Sequence, residues 1–257
     1  MPVELHADIQ GSGPPLLILH GLFGSARNWQ GIATRLADAF QVHAIDLRNH
    51  GQSGQHPEMS YRAMADDLEH LRTRLGLGAV HVIGHSMGGK TAMQWALQRP
   101  ESIGRLVVVD IAPVSYQRSY AGLIDALSSL PLQRLQRRAD AEVLLNETIP
   151  ERPLRLFLLQ NLRFEEAGAR WRVNLPFIRA AMPEIMGAPD LPRGAVFPGL
   201  AQFIHGARSD TVQPVHHAVI HGHFPNARFD TIADAGHWPH ADQPARFLDS
   251  VRRFLCD

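Results

Sequence analysis

Five residues, Gly84-His85-Ser86-Met87-Gly88, constrain this chain more than any other feature. An apolar, β-branched run within residues 79–84 leads into them, and a helical pattern over residues 87–98 leads out. Passing from strand to helix in so few residues demands a tight turn, with backbone crowding both sides of the serine. Small residues are therefore required beside it, which Gly84, Gly88 and Gly89 supply. Ser86 is predicted to stand out at the carboxyl end of its strand. Further apolar runs predict strands at 3–9, 16–20, 42–45, 105–110, 201–205 and 228–232. Helical periodicity predicts helices at 28–39, 61–75, 87–98, 215–224 and 244–255. The uninterrupted character of LLIL, VHVI, LVVV and QFIH suits strands buried on both faces. Alternating strands and helices of this kind form a mostly parallel sheet flanked by helices, an α/β fold.

The alternation stops after Asp110. From about Pro113 to Pro198 the text reads as short helices broken by prolines, and the strand pattern resumes at AQFIHG. The predicted organisation is a core of residues 1–112 plus 199–257 with an inserted helical lid, 113–198. Such an insertion belongs over the carboxyl ends of the strands, where open α/β sheets bind ligands. Its apolar residues Leu156, Phe157, Leu158, Phe177 and Met182 are expected to wall a pocket above Ser86.

Composition excludes several classes. Lys+Arg and Asp+Glu are both 25 in 257 residues, a formal net charge of zero, so no basic nucleic-acid footprint exists. No apolar run approaches the ~20 residues of a membrane span, and no basic-then-apolar leader opens the chain. The single cysteine, Cys256, has no internal disulfide partner. A soluble, cytoplasmic protein is expected, with oligomeric state unknown. Of the 25 basic residues only Lys90 is a lysine, and a contact to backbone carbonyls or an ion pair in a narrow space is expected of it, the alternative being a contact to an anionic substrate head group.

A serine hydroxyl needs a base to become a nucleophile. Among 15 histidines, His237 stands apart, after Gly236 and between the last strand and the last helix. An oxyanion hole needs two backbone amides. Met87, after the serine, supplies one; the loop His20-Gly21-Leu22-Phe23-Gly24 supplies the other, from Leu22 or, as the near alternative, Phe23. The polar segment 46–53 is expected to brace that loop. Two aspartates compete as the acid that orients His237. Asp110 ends the strand beside the one carrying Ser86; Asp210 lies in Gly206-Ala207-Arg208-Ser209-Asp210, one residue late for a common acid position that Ser209 occupies here. Asp110 is preferred. The pair His217/His221 has helical spacing but no glutamate or cysteine for a zinc site, so no metal and no cofactor are expected.

Taken in order, HGLFGSARNW, DLRNHGQS, GHSMGGKTAM, VVVDIAP and AGHWPHAD resemble the α/β-hydrolase superfamily across nearly the whole chain. The phrases FLLQNL and WRVNLPFI resemble the small YbfF-like bacterial esterases and their mitochondrial relatives. The resemblance implies a serine carboxylesterase acting on small acyl esters or acyl-CoA thioesters, and it too points to Asp110. Two rival readings stand beside it. A carbon–carbon hydrolase or lyase on the same scaffold would need cations in the pocket, and residues 113–198 hold eleven arginines against nine acids. A slow-turnover ligand receptor would keep the triad and stall after one product.

Overall fold

The protein is described as a computed structural model covering residues 1–166, 168–190 and 194–256. Strands β1 (Ala7–Gln10), β2 (Pro15–Leu19), β3 (Gln41–Ile45), β4 (Val80–His85) and β5 (Ile103–Val109) precede the inserted segment. Within it lie β6 (Leu162–Glu165) and β7 (Gly168–Trp171), and after it β8 (Leu200–Gly206) and β9 (Ala227–Ile232). Seven strands form one sheet in the order β1-β3-β2-β4-β5-β8-β9, parallel throughout except where β1 runs against β3. The fold is α/β, with a mostly parallel sheet flanked by helices.

Helices α1 (Gln30–Leu36), α2 (Tyr61–Arg74) and α3 (Met87–Gln98) connect the early strands. The inserted segment carries α4 (Ala121–Ser128), α5 (Arg138–Leu144), α6 (Arg152–Leu159), α7 (Leu175–Ala180) and α8 (Met182–Met186); α9 (His217–His223), α10 (Pro239–Asp242) and α11 (Pro244–Cys256) complete the chain. Alternation along each strand divides the core in two. Leu17, Leu19, Val82, Leu106, Val108 and Phe203 pack on one face with α2, α3 and the inserted segment. Leu16, Ile18, Ile83, Val107, Val109 and Ile204 pack on the other, against α1 and α11. Each such side chain contributes roughly 1.5–3 kcal/mol by leaving water. Helix α11 earns its place through Phe247, Leu248, Val251, Phe254 and Leu255, buried at helical spacing on one face. At the start of α2 the Ser60 hydroxyl accepts from the Ala63 amide at 3.2 Å, a cap worth about 1 kcal/mol.

Residues 113–198 depart from the all-helical expectation. Strands β6 and β7 pair antiparallel, with Leu162 opposite Trp171 and Glu165 opposite Gly168. Leu162 and Phe164 face inward while Arg163 and Glu165 face water, a two-residue alternation too short to stand out in the sequence. Gly168 closes the hairpin at φ 117°, a conformation that favours glycine. Two helix boundaries also differ. The expected helix at 28–39 starts as a 3-10 turn, Ala26–Trp29, before α1, and the one at 215–224 starts as Pro214–His216.

Candidate active site

Ser86, Asp110 and His237 all lie just past the carboxyl ends of strands, and the fold brings them together. Ser86 follows β4 at φ 52°, ψ −117°, a strained conformation for a residue with a Cβ. Its amide still bonds to the Val109 carbonyl of the neighbouring strand, at 3.0 Å. Gly84 and Gly88 make the turn possible. A Cβ on Gly84 would strike the Gly88 carbonyl, and one on Gly88 would meet the carbonyl of Leu19 at 2.6 Å. Asp110 repeats the device after β5, with φ 51° and its amide held by the Ile204 carbonyl at 2.8 Å.

His237 Nδ1 lies 2.7 Å from Asp110 Oδ2, and its Nε2 lies 3.1 Å from Ser86 Oγ. Asp110 is fully buried. Burial pushes its carboxyl up, but the hydrogen bond and charge of His237, with the hydroxyls of Ser209 and Thr211, outweigh this and hold it below the usual range. An ionised Asp110 only accepts, so Nδ1–H of His237 donates to it and Nε2 is left to accept the Ser86 proton. Ser209 and Thr211 both donate to Asp110 Oδ2 at 2.6 Å, and the Gly206 amide donates to Oδ1 at 3.0 Å. Ser209, the occupant of the common acid position, thus serves the acid from the adjacent strand. Its position in the sequence does not announce that contact.

Asp210, the alternative acid, is not brought to His237. Its carboxylate is exposed and pairs with Arg118, which holds its pKa down. The one-residue offset turns it outward.

The loop after β2 meets the serine from the other side. Of its amides, Phe23 N–H donates to His50 Nε2 at 3.3 Å, so the near alternative is occupied and Leu22 remains. Met87 is the first residue of α3 and has no intrahelical acceptor for its amide. Segment 46–53 does brace this loop. Asp46 accepts from the amides of Ala26 (2.7 Å) and Gln52 (2.9 Å), and His20 Nε2 accepts from Leu47 N–H at 3.0 Å. Nδ1 of His20 and of His50 each faces a carbonyl, of Gly21 and Arg48, so both rings carry their proton there and are neutral. Burial lowers their pKa values to about 4 and about 3. His85 Nε2 lies 2.8 Å from the His237 carbonyl and donates to it, anchoring the histidine loop. His240 stacks on Trp29 at 3.9 Å between ring centres.

A cavity of about 300 Å³ opens at Ser86 and His237. Of the five apolar residues expected to wall it, Phe157 does; Leu123, Leu154, Ile185 and Met186 join it. On α6, Leu154 and Phe157 share a face, Leu158 turns into the core and Leu156 points to water; Phe177 on α7 and Met182 on α8 do not line the cavity either. Lys90, also on the cavity wall, is buried and donates to the carbonyls of Gly187 (2.5 Å) and Met186 (3.3 Å), the contact expected of it. His217 and His221 pack on Phe229, and no grouping of metal-ligating side chains occurs among the described residues. Nor is any helix among them long and apolar enough to cross a membrane.

Residues 14–244 match the family profile described as alpha/beta hydrolase fold. The chain is 40% identical over 254 residues to the sn-1-specific diacylglycerol lipase ABHD11 of Mus musculus, covering 94% of this chain and 81% of the relative. It is 34% identical over 252 residues to Esterase YbfF of Escherichia coli (strain K12), covering 98% and 96%. Among solved structures, a marine microorganism esterase superimposes with a TM-score of 0.94 at 40% identity, covering 98% of this chain and all of that one.

Proposed function

This chain belongs to the α/β-hydrolase family and is a carboxylic-ester hydrolase of it, and we propose that it works through an acyl-enzyme on Ser86. The observation that carries this reading is the continuous relay from Ser86 Oγ through both nitrogens of His237 to Asp110. In the first half-reaction His237 Nε2 takes the Ser86 proton as Oγ attacks the ester carbonyl. The carbonyl oxygen becomes an oxyanion held by the amides of Leu22 and Met87. As the tetrahedral adduct collapses, His237 passes its proton to the leaving alkoxide and the acyl group stays on Oγ. Water then repeats the sequence: His237 removes its proton, the hydroxide attacks the acyl carbon, and Ser86 leaves with the proton returned. Asp110 stays ionised throughout, holding the histidine's tautomer and offsetting its charge.

Residues 113–198 act as a lid in this reading. Four contacts support it. Asn161 donates to the Phe23 carbonyl (2.8 Å), Asn28 donates to Gln160 (2.7 Å), the Asn174 amide donates to the Asn49 carbonyl (2.9 Å), and the Asn174 side chain donates to Gln55 (2.8 Å). The first two tie the insertion to the loop after β2, which lines the cavity, and the last two tie it to the segment after β3. The same steps serve a thioester, whose leaving thiolate needs less protonation. A panel of p-nitrophenyl esters, a 1,2-diacylglycerol and acyl-CoAs, run on wild type and Ser86→Ala, tests the reading. Ser86→Ala is expected to lower kcat about 10⁶-fold on every substrate turned over. Retention of more than a tenth of the activity would contradict it.

A further inference from the structure

Lys90 sits one helical turn beyond Ser86 on α3, about 6 Å along the axis, and its side chain reaches the wall of the same cavity. It is only 1% exposed. Around its ammonium stand the ring of Tyr116, 4.9 Å to the centre, that of Tyr61 at 5.6 Å, and the carbonyls of Met186 and Gly187 at the end of α8. Both tyrosine hydroxyls are spent on backbone: Tyr61 donates to Ile185 and Tyr116 to Thr211. Two carbonyls use two of the three ammonium donors, and one remains. Among the described residues no carboxylate pairs with Lys90, and no Asp or Glu lines the cavity. The cavity's other cation, Arg118, already has Asp210.

A buried cation without an anion is costly, and burial accordingly lowers the Lys90 pKa to about 7. Anchoring α8 does not need a charge, since the Tyr61 hydroxyl holds the same turn. Among the described residues nothing supplies the anion, and the space that Lys90 borders is the substrate cavity.

We propose that the Lys90 ammonium forms the inner end of the acyl pocket and receives the free carboxylate of a short dicarboxylic acyl group, so that half-esters of such acids are preferred substrates. The inference rests on the reading of Ser86 as nucleophile. Chemistry at Ser86 is unchanged, and the selectivity lies in where the acyl tail ends.

Monomethyl glutarate and its uncharged counterpart, methyl hexanoate, test this through methanol release at pH 6.5. Wild type is expected to favour the half-ester in kcat/KM by about tenfold or more, the scale of one charge-assisted hydrogen bond. Lys90→Met is expected to erase that ratio, and Lys90→Arg to keep part of it. Should the Lys90 variants fail to fold, inhibition of wild type by glutarate against hexanoate makes the same comparison, with glutarate expected to bind tighter. Hydrolysis that requires Ser86 yet treats the two esters alike, or tighter binding of hexanoate, would overturn the role of Lys90 alone. Hydrolysis indifferent to Ser86→Ala would overturn the acyl-enzyme reading beneath it.

Discussion

At the scale of single residues the deciding question is which aspartate serves His237. Asp110 Oδ2 is 2.7 Å from the imidazole and receives two hydroxyl protons besides, while Asp210 is turned to Arg118 and solvent. Asp110→Asn is therefore expected to cost about 10⁴-fold in kcat, because the ring loses the acceptor that orients it. Asp210→Asn is expected to leave kcat within about twofold of wild type, as surface charges usually do. Steady-state kinetics of the two variants check both values, and the reverse order would mean the wrong strand end carries the acid. Asp110 was legible because it closes an apolar run next to the strand of the serine. The donors Ser209 and Thr211 were not, because they arrive from β8's loop, 99 and 101 residues away in the chain. Phe23 was separated from Leu22 only by a hydrogen bond to His50, which no spacing in the sequence announces.

At the scale of elements, the strand–turn–helix of β4 and α3 positions the chemistry, and its tolerance is set by backbone contacts. A methyl group on Gly88 would press on the Leu19 and His20 carbonyls, which belong to β2 and the adjoining loop and have no rotamer to move. Gly88→Ala is expected to lower stability by about 1–3 kcal/mol through overpacking and to lower kcat by displacing Ser86. Urea unfolding and kinetics on the purified variant read the two effects. Wild-type values for both would show that the turn has slack. The buried parallel strands were readable because apolar runs bounded by turns have few alternatives. The β6–β7 hairpin was not, since four-residue strands give too little alternation to separate them from a helix fragment. The lining residues on α6 were only partly foreseen, because a mostly apolar helix does not reveal which of its faces meets a cavity.

At the scale of the whole molecule, buried histidines, among them His20, His50, His85 and His240, make the fold acid-sensitive. Burial lowers the pKa values of His20 to about 4 and of His50 and His240 to about 3, and lowers His85 well below the ordinary value. Unfolded, each takes up a proton near pH 6.5; folded, each stays neutral until far lower pH. Stability is therefore full above about pH 6.5 and falls as pH drops toward 4, by up to ~1.4 kcal/mol per pH unit for each histidine. The urea midpoint is expected to be flat between pH 7 and 8 and to drop steeply between pH 6 and 4.5. A midpoint at pH 5 equal to that at pH 7.5 would show that these rings protonate in place.

The proposed mechanism requires Ser86 Oγ to carry the acyl group. Intact-mass spectrometry after reaction with an alkyl fluorophosphonate reads this directly, because the reagent adds only to a serine activated by its histidine. One adduct per chain, mapped to Ser86, strongly reduced in Asp110→Asn and absent in Ser86→Ala, is the expected result. An unmodified wild-type mass, or an adduct that survives Ser86→Ala, would contradict the mechanism at its first step.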